Sequence, residues 1–336
     1  MADAAPLIDP LQRIIDASDA FVSRYNKETE HFPDDSEWGR EICIYLVGSF
    51  ARGEGIMPPG ETGSHQSVPQ SDIDLFFVAA PKAKITREKE IRLFYRFIDL
   101  HLTEGYKRFS RDCEFLKVHE FDDLWKVIGA PADDSTNTFT ARMLLLLEGV
   151  NLYNPRVHEQ LIKATLKQYF KDYMFNEQDF KPQFLINDIT RYWKTLCLNY
   201  EAFRNHEDQF KTREDNLKLR FSRKLLCFST VVGLLDLGPA VSAGDVKELV
   251  ALKPLERIAR VCGRSDQLRE QFLVLQEEYA NFLGWSRECK KDGGPEAALD
   301  DSEWAKAKAS SVMFNQALFD IISLVAPDSG LRRVML

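Results

Sequence analysis

"EICIYLVGSF", residues 41–50, is short, dense in β-branched and aromatic residues, and stops at Gly48-Ser49. A continuous apolar run of that length bounded by turn residues reads as a strand buried in the middle of a sheet. Outward from it, "EGIMPPGETGSHQSVPQ" (54–70) is a loop by its Gly, Pro and Ser content. "SDIDLFFVAA" (71–80) is a second strand, "TREKEIRLFYRFIDLHLTEGY" (86–106) a helix, and "DCEFLKVHEF" (112–121) a third strand. Upstream, Leu11, Ile14, Ile15, Phe21 and Val22 recur at helical spacing and predict an N-terminal helix. From about residue 139 the texture changes. "FTARMLLLLEG", "PRVHEQLIKATLKQYFKDYM", "PQFLINDITRYWKTLCLNYEAF" and "LKLRFSRKLLCFSTVVGLL" are helix-periodic and contain no strand pattern. An α+β class follows, with a strand-containing domain over 1–135 and an all-α domain over 136–336, the boundary falling between 125 and 155.

The chain has 336 residues, 44% hydrophobic and 29% charged, with formal net charge -8 and pI about 5.4. An acidic field repels polyanions, which argues against general nucleic-acid coating and ranks RNA low among partners. The six cysteines form no C-x-x-C pair, so neither a zinc ribbon nor a redox motif is expected, and reduced thiols in the cytoplasm are the plain reading. The six histidines make no H-E-x-x-H, which argues against a zinc hydrolase. "MADAAPLIDPLQRIID" has no basic segment leading into an apolar one, and no run approaches the roughly eighteen apolar residues of a membrane span. No membrane partner is expected.

The second strand opens Ser71-Asp72-Ile73-Asp74, and strand alternation sets Asp72 and Asp74 on one face. Two neighbouring carboxylates repel and need protonation, salt bridges or a divalent cation in a partly buried place, and paired oxygen ligands suit Mg²⁺ well. Alone, D-x-D is also the ordinary polar face of a strand. The preceding Gly48-Ser49 adds a backbone that an anion can approach closely, since Gly has no side chain and Ser adds a hydroxyl.

Together, "YLVGSFARGE" and "SDIDLFF" resemble the signature of the DNA polymerase β-like nucleotidyltransferase superfamily, a Gly-Ser turn followed by h-[DE]-h-[DE]-h. The resemblance covers about residues 40–155. Within the superfamily, "GSFARGE…SDIDL" and "ADDSTNTFTARMLLLLEGVNLYN" (132–154) look most like the catalytic domain of the PII uridylyltransferase group. The 54–70 loop lengthens the usual interval, and nothing after residue 160 resembles that group's H…HD or regulatory domains. The resemblance implies a fold with a mixed sheet and helices, followed by a helical domain that closes the nucleotide cleft. It implies two Mg²⁺ ions on Asp72, Asp74 and a third carboxylate, for which Glu114 in Cys113-Glu114-Phe115 fits the h-[DE]-h setting, with Asp112 in reserve. It gives the phosphates of an NTP, ATP or UTP, to Gly48, Ser49 and Arg52. Cationic residues of the helical domain, Arg191 and Lys194 first and then Arg220 and Arg223, would grip the triphosphate. The implied reaction moves an NMP to an acceptor hydroxyl and releases pyrophosphate. A protein side chain is the first acceptor, before a small molecule such as an aminoglycoside or a second nucleotide giving a cyclic dinucleotide messenger. A catalytically silent nucleotide-binding regulator is the reading from another class.

Overall fold

A computed structural model describes residues 4–33, 38, 41–58, 68–107, 109, 113, 116–130, 133, 137–175, 177–203, 209–238, 240–289 and 299–326. The protein is α+β, mostly helical with one small mixed sheet, and its chain falls into two compact units. One unit is Arg13–Gln168; the other is Met1–Gln12 with Tyr169–Leu336.

The first unit holds helices α1 (Asp9–Thr29, from Arg13 on), α2 (Arg87–Thr103), α3 (Thr138–Glu148) and α4 (Pro155–Tyr169, up to Gln168). Its strands are β1 (Ile42–Val47), β2 (Asp74–Ala79), β3 (Val118–His119) and β4 (Val150–Tyr153), in the order β3-β2-β1-β4. β1 runs antiparallel to both β2 and β4, and β2 runs parallel to β3. Every residue of β1 is buried, because both faces are covered. Ile42, Ile44 and Leu46 pack with Leu75 and Phe77 of β2 under Phe21, Tyr25, Leu93 and Phe97 of α1 and α2. On the other face Cys43, Tyr45 and Val47 pack with Val78 under Ala141, Leu145, Val157 and Leu161 of α3 and α4. Double coverage is why the run 42–47 shows no polar alternation.

Two expectations change. The stretch after 139 does contain a strand: β4, "VNLY", pairs with the central β1, so α3, β4 and α4 belong with the sheet. The units accordingly part at Gln168–Tyr169, beyond the 135/136 division read from sequence. The third strand expected over 112–121 is, among the described residues, the two-residue β3. Glu114 and Asp112 lie outside the described residues.

The second unit is helical among its described residues: α5 (Gln183–Phe203), α6 (Gln209–Lys218), α7 (Lys224–Asp236), α8 (Ala243–Val250), α9 (Pro254–Cys262), α10 (Asp266–Glu288) and α11 (Asp301–Val325). A π-helical turn, Leu219–Arg223, links α6 to α7. It brings Phe221 between Phe282 and Phe314, each 5.0 Å away between ring centroids. All six cysteines are free thiols, and no helix among the described residues is long and apolar enough to cross a membrane.

Candidate functional site

The strand β1 ends by turning through Gly48–Ala51, a single helical turn. Gly48 has φ +82°, a conformation that L side chains rarely adopt, and a Cβ built on it would lie 2.5 Å from Oδ2 of Asp74. The register explains the approach: Val47, the last residue of β1, faces Asp74, the first of β2. The glycine thus admits a carboxylate beside the first peptide of the turn. Gly53 N–H donates to the carbonyl of Phe50 (3.1 Å) and Glu54 N–H to that of Ser49 (2.8 Å), which folds the chain back on itself.

A carboxylate that sequence reading missed completes this corner. Glu148, the last residue of α3, accepts from Gly48 N–H at Oε1 (2.8 Å) and from Arg52 Nη1 at Oε2 (2.6 Å). Arg52 Nε donates to Glu54 Oε2 at 3.0 Å. All three side chains are largely buried, Glu148 with only 1% exposed. Gly48, Arg52 and Asp74 are therefore brought together, with Glu148 and Glu54 among them. A guanidinium beside two carboxylates offsets the desolvation that each would otherwise suffer. The one sequence signal for Glu148 was its place next to Gly149 at the end of an apolar helix, "LLLLEG".

Asp72 stands two residues ahead of β2 rather than on it, exposed, with Oδ1 at 3.2 Å from Lys107 Nζ. Ile73, between the two aspartates, is buried in the core with Leu75. Ser49 is half-buried. As the second residue of a helical turn it keeps an N–H that no intrahelical carbonyl reaches, and its Oγ bonds to no described residue. The long loop is pinned at its base: Gln70 N–H donates to the carbonyl of Ile56 (2.9 Å) and Ile56 N–H to Ser71 Oγ (3.0 Å). Two carboxylates supply the hard oxygen donors that suit Mg²⁺, so the donor chemistry of Asp72 and Asp74 fits that ion. Among the described residues no three His, Cys, Asp or Glu side chains cluster for a metal.

The four expected cations of the helical part all lie in the second unit. Arg191 Nε is 3.8 Å from Asp188 Oδ1, and Asp188 also accepts from Tyr169 OH at 2.7 Å. Lys194 is exposed on α5, and Arg223 is half-buried in the π turn. Arg220 donates from Nε to Asn216 and from Nη1 to Ser311 Oγ (3.1 Å). Beside it stands Lys224, which sequence reading did not select. Its Nζ donates to Asn315 Oδ1 at 2.5 Å and lies 5.4 Å from the ring centroid of Trp193. Burial, then the charge of Arg220, pushes the Lys224 ammonium down to about 8. Arg220 and Lys224 have only neutral hydrogen-bond acceptors among the described residues. A signal existed: no acidic residue occurs from Leu219 to Leu235.

No family model, no curated protein and no solved structure matches the chain.

Proposed function

We propose that this protein is a Mg²⁺-dependent nucleotidyltransferase of the cytoplasm that moves an NMP from ATP or UTP to an acceptor hydroxyl, releasing pyrophosphate. The observation that carries the reading is the Gly48 turn at φ +82° with Asp74 against it, a glycine-only approach of backbone and carboxylate at the end of a buried strand. Asp72 and Asp74, with Glu114 as the third carboxylate, would hold two Mg²⁺ ions. Bound there, these ions neutralise phosphate charge and lower the pKa of the acceptor hydroxyl. The Gly48-Ser49 turn receives the triphosphate, with Arg52 behind it. In the helical unit the neighbouring Arg220 and Lys224, whose acceptors among the described residues are neutral, are cations suited to phosphate oxygens, with Arg223, Arg191 and Lys194 as further candidates. Placement and charge stabilisation supply most of the rate gain in such a transfer. The acceptor is a protein side chain or a small molecule, since an acidic chain handles RNA poorly.

The test is pyrophosphate release from each of the four NTPs with Mg²⁺ and cell lysate as acceptor source, comparing the native chain with Asp72→Ala/Asp74→Ala. Release from one or two NTPs that vanishes in the variant is expected; equal release from both proteins sinks the assignment. The Asp72–Lys107 ion pair favours a second reading, a catalytically silent nucleotide-binding regulator. Metal-dependent NTP binding without pyrophosphate release would establish it.

A further inference from the structure

A carboxylate at the carboxyl end of a helix meets the negative end of the helix dipole, and a buried one also loses its water. Glu148 sits in that doubly unfavourable place at the end of α3, and both its oxygens are taken up by the Gly-Ser turn. One oxygen holds the peptide N–H of Gly48, the other the guanidinium of Arg52. Arg52 in turn stands between Glu148 and Glu54, so its charge is met inside the turn by two buried carboxylates. An arriving phosphate would find the Gly48 N–H already bonded to an anion. Ser49 differs: its Oγ carries no bond to a described residue and its N–H is one that the helical turn leaves over.

We propose that Glu148 is the positioning residue of the Gly-Ser turn and that Arg52 acts through Glu148 rather than on the triphosphate. The proposal rests on the reading of this turn as the triphosphate site, and it gives Arg52 a bracing role in place of the phosphate contact that the motif assigns to it. Glu148 fixes the first peptide of the turn against α3, while the glycine keeps Asp74 alongside. Ser49 is thereby presented in one orientation.

A double-mutant cycle of Arg52→Gln and Glu148→Gln in the full chain, with Ser49→Ala measured separately, tests this. Glu148→Gln is nearly isosteric and keeps an acceptor for Gly48 N–H; Arg52→Lys stands in should Arg52→Gln fail to fold. The first readout is amide hydrogen exchange of the peptide spanning the turn, which needs no nucleotide. Each single variant should speed exchange by about tenfold or more, and the double variant should be no faster than the worse single one, as two members of one unit behave. The second readout is kinetic, with Mg²⁺ and whichever NTP is turned over. Arg52→Gln and Glu148→Gln should lower kcat while moving KM by less than about threefold, whereas Ser49→Ala should raise KM by about tenfold and leave exchange unchanged. The proposal is overturned if exchange effects multiply in the double variant. It is equally overturned if Arg52→Gln raises KM tenfold or more and does so again in the Glu148→Gln background, the mark of a direct phosphate ligand. Failure of every NTP to bind would remove Ser49's role together with the nucleotide reading, and the exchange cycle would then judge the Glu148–Arg52 brace by itself.

Discussion

Replacing Gly48 by alanine puts the central geometry under load. The backbone there sits at φ +82°, so any L side chain pays a left-handed strain of roughly 1–2 kcal/mol. The added methyl would also lie 2.5 Å from Asp74 Oδ2, well inside van der Waals contact, and forcing the carboxylate aside resembles overpacking at about 1–3 kcal/mol. The sum is about 2–5 kcal/mol. Gly105 provides the control in the same unit: its φ is +70°, but a Cβ there meets nothing nearer than Val68 Cγ2 at 3.8 Å. Gly105→Ala should therefore cost about 1–2 kcal/mol, the strain alone. Urea unfolding of both variants, followed by a probe of the sheet-containing unit, isolates the Asp74 contact as their difference. Gly48→Ala should also depress pyrophosphate release far more than it depresses stability, because it displaces Asp74. Equal destabilisation by the two alanines would refute the claim that the turn is shaped around Asp74.

Other perturbations are separable. Gly284 lies inside α10 with open space where a Cβ would go, so Gly284→Ala should stabilise the helical unit by about 0.5–1 kcal/mol in a urea titration. Asp133 receives Arg142 through two bonds of 2.7 Å with both side chains buried, so Asp133→Ala, which strands the guanidinium, should cost about 3–5 kcal/mol in chemical unfolding. Burial pushes His119, beside Lys117, and His158 down to about 4. The unfolded chain protonates them near the ordinary value of about 6.5, so stability is intact above that pH and falls as the pH drops toward 4; His158→Leu should flatten a plot of stability against pH over that window. Lys224 titrates below its unfolded value, so the helical unit should gain stability as the pH rises from about 8 toward 10.5, and Lys224→Met should abolish that rise.

What the sequence disclosed, and what it hid, has a physical logic. β1 and β2 were legible because a strand covered on both faces must be apolar throughout, and 42–47 is. The turn was legible because only Gly tolerates its φ and the contact behind it. β4 escaped because four residues, two of them polar-capable in "VNLY", carry too little periodicity to separate a strand from a helix end, and its partner strand is more than a hundred residues away. Glu148 escaped for a related reason: its meaning comes from Gly48 and Arg52, distant in sequence, and a glutamate at a helix end ordinarily faces solvent. Lys224 was passed over in favour of Lys194, which shares the helical stripe of Arg191 but is exposed. Helical periodicity marks a face; what a cation meets there is set by other helices, and for Lys224 these are α5 and α11, which supply Trp193 and Asn315.

The most direct measurement of the central claim follows the label rather than the residue. The native chain is incubated with Mg²⁺, lysate and the NTP it turns over, labelled in one reaction at the α-phosphate and in another at the γ-phosphate. The account predicts that the α-label enters an acceptor while the γ-label leaves as pyrophosphate, and that Asp74→Asn loses both signals. Transfer of the γ-label to the acceptor, or α-label transfer undiminished in Asp74→Asn, would contradict it.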